Sequence, residues 1–257
     1  MFKHQNVRIA FLLLFTATAI ADFWYPIPIA TYFLIPIFFL AVTLISSYFI
    51  QWNYFFNSIN HGDRNSNKIA ITFDDAPLEP YTNQVLDLLK QHNIKALFFL
   101  IGKQIKGNEA IVQRIVNEGH IIGNHSFSHA NSFPIFSINK MIADTQQCSD
   151  EIERVTGKKA RFFRPPFGVT NPRIAATVQH QQYISIGWSL RSYDTTINNP
   201  TKLMQRCLVS LRGGDIVLFH DWGKHTLDIL PEWIEEVKKR GLEIVRADEL
   251  LRIEAYR

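Results

Sequence analysis

Apolar and polar positions divide the chain into two unequal parts. From Ile9 to Ile50 there is one charged residue, Asp22, whereas from Asn60 onward charged and polar residues return at ordinary density. Ile29 to Ile50 gives 22 uncharged residues, and a helix needs roughly 20 to cross a bilayer. Val7 to Ala21 is a second apolar run, followed by Phe23-Trp24-Tyr25-Pro26. Trp and Tyr favour the headgroup level, and Asp22, Pro26 and Pro28 mark a turn there. The pattern predicts residues 1–50 as a membrane anchor of two transmembrane helices, a hairpin turning between Asp22 and Pro28. The competing reading makes Met1 to Ala21 a signal peptide, with Ala19-Ile20-Ala21 as its cleavage site. Either way a spanning helix stays on the chain, and the expected location is the cell (inner) membrane. Lys3 and Arg8 place the N-terminus in the cytoplasm. A hairpin then returns the rest of the chain to the cytoplasm. A cut after Ala21 also leaves one span ending inside, and a single uncut span ends outside, so the sequence leaves the side open.

Residues 51–67 read as a linker, aromatic at first and then polar, and 68–257 as one domain of alternating short apolar runs and helix-like stretches. Strands are predicted at Lys68 to Phe73, Ile94 to Ile101, His120 to Gly123, Phe162 to Arg164, Tyr183 to Trp188, Asp215 to Phe219 and Leu242 to Val245. Helices are predicted at Asn83 to His92, Glu109 to Glu118, Ser137 to Thr156, after Asn171-Pro172, at Thr201 to Leu211 ending on Gly213-Gly214, and at Leu227 to Arg240. A short helix follows the last strand. Strands alternating with helices imply parallel strands with helical crossovers. Seven such units predict an α/β fold, a barrel short of one unit, with its chemistry at the carboxyl ends of the strands.

Charge and cysteine content alter this little. The net charge of +4 is spread without a long basic run, which gives no nucleic-acid footprint. Cys148 and Cys207 stand far apart in helical stretches and read as small buried hydrophobes.

The reactive residues follow the apolar runs. Asp74-Asp75 ends the first strand, His125 and His129 follow the third, Arg164-Pro165-Pro166-Phe167-Gly168 the fourth, Asp194 the fifth and His220-Asp221 the sixth. Adjacent carboxylates at a strand end repel. A metal relieves the conflict by binding one and leaving the other as a base. Two imidazoles four residues apart converge on one ion if the segment turns, and with Asp75 they make a two-His, one-carboxylate set with open positions. His220, at the same end, is a candidate general acid. Arg164 is a candidate to orient a carboxylate. Each of these residues alone has a structural explanation as a cap, salt bridge or surface histidine; their common placement is what points to catalysis.

From about Lys68 onward the chain resembles the polysaccharide deacetylase, or NodB-homology, family (carbohydrate esterase family 4). The resemblance rests on Thr72-Phe73-Asp74-Asp75-Ala76-Pro77, His125-Ser126-Phe127-Ser128-His129, Arg164 to Gly168, Trp188 to Asp194, and Leu218-Phe219-His220, in the family's order. It implies a distorted (β/α)7 barrel of the deacetylase type. It implies Asp74 as general base and Asp75, His125 and His129 as ligands of a divalent cation, Zn²⁺ first and Co²⁺ or Ni²⁺ as alternatives. Arg164 would hold Asp74, the Phe167 N–H would help form an oxyanion hole, and His220, tuned by Asp194, would protonate the leaving amine. Two departures stand out. Ala76 replaces the family's usual Gly. The fourth motif, usually Asp-x-x-Asp-Trp, has Arg191 for its first Asp and Thr195 for its Trp, so a groove wall is changed. The expected function is removal of an N-acyl group, most often acetyl, from an amino sugar in a polysaccharide. Alternatives are deacylation, by loss of acetyl or formyl, of a lipid-linked (polyprenyl-phosphate) amino sugar, and an inactive glycan-binding member. The expected partners are such a glycan or lipid-linked sugar and membrane lipid, with no obligate protein partner.

Overall fold

The computed structural model describes residues 3–257. The chain begins with α1 (His4–Ala21) and α2 (Ile29–Ser47), which pack together as a hairpin. The Asp22 carboxylate ties the turn by accepting from the Ile27 N–H at 2.6 Å, and Phe11 packs against Phe38 and Phe39. Large apolar side chains such as Leu12, Leu13, Phe33, Leu34 and Phe38 stand exposed along both helices. Among the described residues, one helix is long and apolar enough to cross a membrane, α2, with a mean hydropathy of 2.2. The two helices differ because α1 opens with His4, Gln5, Asn6 and Arg8.

The linker is not a slack tether. Ile50 and Tyr54 are buried, Ile59 makes a parallel bridge to Ile186, and the Gly187 N–H donates to the Ile59 carbonyl at 2.9 Å. Arg64 forms an ion pair with the buried Asp215.

The remainder alternates strands and helices: β1 (Lys68–Ala76), α3 (Tyr81–Gln91), β2 (Leu97–Leu100), α4 (Gly102–Ile105), α5 (Glu109–Asn117), β3 (Ile121–Asn124), α6 (Ile138–Thr156), β4 (Phe162–Phe163), α7 (Pro172–His180), β5 (Ile184–Ser185), β6 (Leu190–Arg191), α8 (Pro200–Val209), β7 (Ile216–His220), α9 (Lys224–Lys239), β8 (Glu243–Ile244) and α10 (Ala247–Leu251). All paired strands are parallel, in the order β5-β4-β3-β2-β1-β7-β6, with β8 on the first residues of β1. The expected seven-unit barrel is therefore a curled half-barrel: β5 and β6 end the strand order, and the linker lies along the β5 side. The predicted strand at Tyr183 to Trp188 shortens to β5, and a separate short strand, β6, follows it. The predicted helix at Thr201 to Leu211 stops at Val209. Gly213-Gly214 caps no helix; Gly214 has φ +78°, and a Cβ there would lie 2.6 Å from the Asp63 carbonyl.

Side chains alternate between the two faces of β1 as a pleated strand requires, and both faces are buried from Ile69 to Asp74. Ile69, Ile71 and Phe73 enter the main core with Phe98, Leu100, Val217, Phe219 and the helix residues Leu86, Ile115 and Trp233. The other face of β1 carries Ala70, Thr72 and Asp74 and leads to the mouth of the half-barrel. Burying the large residues of the first set, at roughly 1.5–3 kcal/mol per side chain, fixes the strand's register. The same register delivers Asp74 opposite His220 on β7.

Candidate active site

Five strand ends converge here. Asp74 is 4% exposed. It accepts from Arg164 Nη1 at 2.6 Å, and that nitrogen also reaches Thr72 Oγ1 at 2.9 Å. Arg164 is fully buried, with Nε and Nη2 donating to the carbonyls of Ile186 and Gly187 at 3.0 and 2.6 Å, and its guanidinium lies 4.2 Å from the Phe99 ring centroid. Burial alone pushes the Asp74 carboxyl up, but the charges of Arg164, His125 and His220 outweigh it and hold the group below its ordinary value. Asp74 is thus kept ionised in a site that would otherwise neutralise it.

Asp75 turns away from its neighbour because its backbone is left-handed, at φ 75°. Its Oδ1 lies 3.4 Å from His129 Nε2 and 3.7 Å from His125 Nε2. One donor atom from each of the three residues falls within 4.8 Å of the others. His125 Nδ1 lies 2.8 Å from the Arg164 carbonyl. A carbonyl only accepts, so Nδ1 carries the proton and Nε2 keeps its lone pair. The His125-to-His129 segment is a turn, not a helix. Asn124 Oδ1 accepts from the Ser126 N–H, Ser126 Oγ from the His129 N–H, and Asp144 from the Phe127 N–H. Ser126 and His129 take positive φ values of 70° and 43°. Burial, then the neighbouring His125, pushes the His129 imidazole down to about 4, which keeps it neutral. The donor set fits a divalent cation. It offers two neutral imidazole nitrogens and one carboxylate oxygen, and that oxygen, Asp75 Oδ1, is buried with no hydrogen-bond partner.

Across the mouth, His220 Nδ1 bonds Asp194 Oδ1 at 2.8 Å. The other Asp194 oxygen accepts from the His220 N–H at 2.7 Å and from Thr226 Oγ1 at 2.6 Å. Burial pulls His220 down, yet the hydrogen bond and charge of Asp194 more than compensate, and its value lies above the ordinary one. Phe167, at φ 61° in the loop after β4, sets its half-exposed ring 4.7 Å from that of His129. Gly168, at φ +68°, lies against Trp188, where a Cβ would come 2.1 Å from the ring.

All eight residues singled out in the sequence thus line one mouth. The structure adds Trp222, whose Nε1 donates to Asp75 Oδ2 at 2.9 Å, as well as Thr226, Asn124 and Asp144. Trp222 carried a weak signal, lying two residues beyond His220 in the sequence. The others carried none, because they act through turns and helix contacts distant in sequence.

Cation donors, an ionised carboxylate and an imidazole backed by a carboxylate around one opening meet the needs of acyl-bond hydrolysis, and the class is that of hydrolases on a curled parallel sheet. Comparison with known proteins gives the family. Residues 61–185 match the family model "Polysaccharide deacetylase". A peptidoglycan-N-acetylglucosamine deacetylase of Bacillus cereus is 36% identical over 196 residues, 73% of this chain and 90% of that one. The peptidoglycan-N-acetylmuramic acid deacetylase PdaA of Bacillus subtilis is 29% identical over 194 residues, 74% and 73% of the two chains. The crystal structure of the Bc1960 peptidoglycan N-acetylglucosamine deacetylase superposes with a TM-score of 0.74 at 29% identity, over 78% of this chain and 95% of that chain. The chain belongs to the polysaccharide deacetylase family, hydrolases of non-peptide carbon–nitrogen bonds.

Proposed function

We propose that the protein is a metal-dependent deacetylase of N-acetylated amino sugars in a glycan of the peptidoglycan type, held at a membrane by its N-terminal helices. The observation that carries this reading is the convergence at one mouth of Asp74, Asp75, His125, His129, Arg164, Asp194 and His220. The relatives, named for action on N-acetylglucosamine and N-acetylmuramic acid in peptidoglycan, supply the substrate class.

A Zn²⁺-type cation held by Asp75, His125 and His129 would polarise the acyl carbonyl and acidify a neighbouring water toward a pKa of about 7. Asp74 accepts the proton of the attacking water, its charge held in place by Arg164. The Phe167 N–H would donate to the developing oxyanion; one such donor contributes roughly 3 kcal/mol. His220, protonated beside Asp194, delivers its proton to the sugar nitrogen as the carbon–nitrogen bond breaks. Asp74→Asn tests the assignment. It should leave zinc stoichiometry intact and lower kcat by roughly 10²–10⁴-fold, read by acetate release from N-acetylglucosamine oligomers. A fully active Asp74→Asn enzyme refutes Asp74 as the base.

One observation favours a second reading, a lipid-linked (polyprenyl-phosphate) amino sugar as substrate. The Ser47 carbonyl, at the end of α2, accepts from the Thr170 N–H at 2.8 Å, three residues past Phe167. The apolar helix therefore ends against the loop that borders the site.

A further inference from the structure

The cation site has a feature outside the family motifs that the sequence displays. Asp75 carries two oxygens in different circumstances. Oδ1 is buried, faces both imidazoles and has no hydrogen-bond partner. Oδ2 accepts from the indole N–H of Trp222 at 2.9 Å. An indole N–H only donates, so this contact engages the carboxylate without competing for the cation. A carboxylate left free can rotate and offer one oxygen or both. With Oδ2 engaged, only Oδ1 points at His125 and His129.

We infer that Trp222 is a positioning residue for the cation: its N–H fixes Asp75 as a one-oxygen ligand and keeps a coordination position open for substrate and water. This rests on the metal-dependent reading above. Trp222 also borders two cavities. One, of about 280 Å³, includes Asp75, His129 and Lys103; the other, of about 120 Å³, includes Thr195 and His220. Its ring centroid lies 6.2 Å from that of His220. The indole therefore sits between the cation side and the proton-donor side of the mouth.

The informative variant is Trp222→Phe, which keeps an aromatic ring between the cavities and removes the donor. Full-length protein in detergent, stripped of metal, is titrated with Zn²⁺ against a colorimetric chelator. Loss of a hydrogen bond behind a metal ligand typically costs 10–100-fold in metal affinity, and a weakening of about that size is expected for Trp222→Phe. The unfolding temperature of the metal-free variant should match that of the metal-free parent, since Trp222 is 38% exposed. Unchanged zinc affinity in Trp222→Phe overturns the inference while leaving the metal-dependent reading intact. An equal loss of metal-free stability also overturns it, because the ring would then be a packing element. A parent protein that takes up no zinc overturns both the inference and the reading beneath it.

Discussion

At the residue scale, the site depends on carboxylates kept charged where burial would neutralise them. Arg164 does this for Asp74 through a guanidinium with four hydrogen bonds, two of them to carbonyls. A lysine cannot reproduce that planar fork. Arg164→Lys keeps the charge but leaves the buried Ile186 and Gly187 carbonyls without their donors, and should cost roughly 1–3 kcal/mol, measured by denaturant unfolding. The pair also ties stability to pH. Asp74 has a lowered pKa in the folded state, so its contribution is fully present above the unfolded value and is lost as pH falls through the folded one. His220 works in the opposite sense. Its pKa is raised, so it stays protonated as pH climbs past 6.5. The alkaline limb of kcat/KM should follow it. Asp194→Asn removes the supporting charge and should move that limb to lower pH. At a fixed pH above it, activity should fall roughly tenfold for each unit lost. An alkaline limb that stays put in Asp194→Asn would dissociate His220 from proton donation.

At the level of elements, the loop after β4 is the most constrained piece of the site. Phe167 and Gly168 both take positive φ, and Gly168 lies against Trp188, which in turn packs with Ile50 and Leu218. Gly168→Ala meets both strain and collision, and should destabilise the fold by roughly 1–3 kcal/mol or more. It should also lower kcat by displacing Phe167. Unfolding curves and acetate release check the two effects. This loop also shows how far a sequence can be read. Arg164 to Gly168 was legible as a motif, and β1 and β7 as strands, because β7 carries four consecutive apolar residues and β1 has four apolar residues among the five from Ile69 to Phe73. Helices α5 and α6 were legible within a residue or two and α7 at its start, since their buried positions recur at helical spacing and Ser137 and Asn171 cap two of them. Strands of two residues, such as β6, leave no period to detect. The closure of the barrel was not legible either. Whether β5 and β6 meet depends on what lies beside them, and the linker read as a spacer proved to pair along β5.

For the whole molecule, the question is what the hairpin gives the enzyme. Helix α2 has 19 residues and at about 1.5 Å per residue spans roughly 28 Å, close to the hydrocarbon thickness of a bilayer. Its far end carries Phe23, Trp24 and Tyr25, all strongly exposed, at the level where aromatic rings favour the interface. At the near end, Lys3 Nζ donates to Asn57 at 2.8 Å, the His4 N–H donates to the Tyr54 carbonyl at 2.8 Å, and Ser47 receives Thr170. The start of α1 is thus fastened to the linker and the end of α2 to the domain, and a bilayer around the hairpin would bring the loop of Phe167 close to its surface. A site so placed gains most when its substrate shares that surface, because confinement raises the effective concentration by orders of magnitude. A chain begun at Ser46 keeps the Ser47 carbonyl for Thr170 and the buried Ile50, and should leave alkaline-washed membranes that retain the full chain. Its kcat/KM on soluble N-acetylglucosamine oligomers should match that of the full chain within about twofold, since no catalytic side chain is lost. On an N-acylated amino sugar carried by a polyprenyl phosphate in phosphatidylglycerol vesicles, it should fall at least about tenfold. Equal rates for the two chains on the vesicle substrate would end the lipid-linked reading and leave the soluble glycan as the target. Release of the full chain by the alkaline wash would remove the hairpin's role as an anchor.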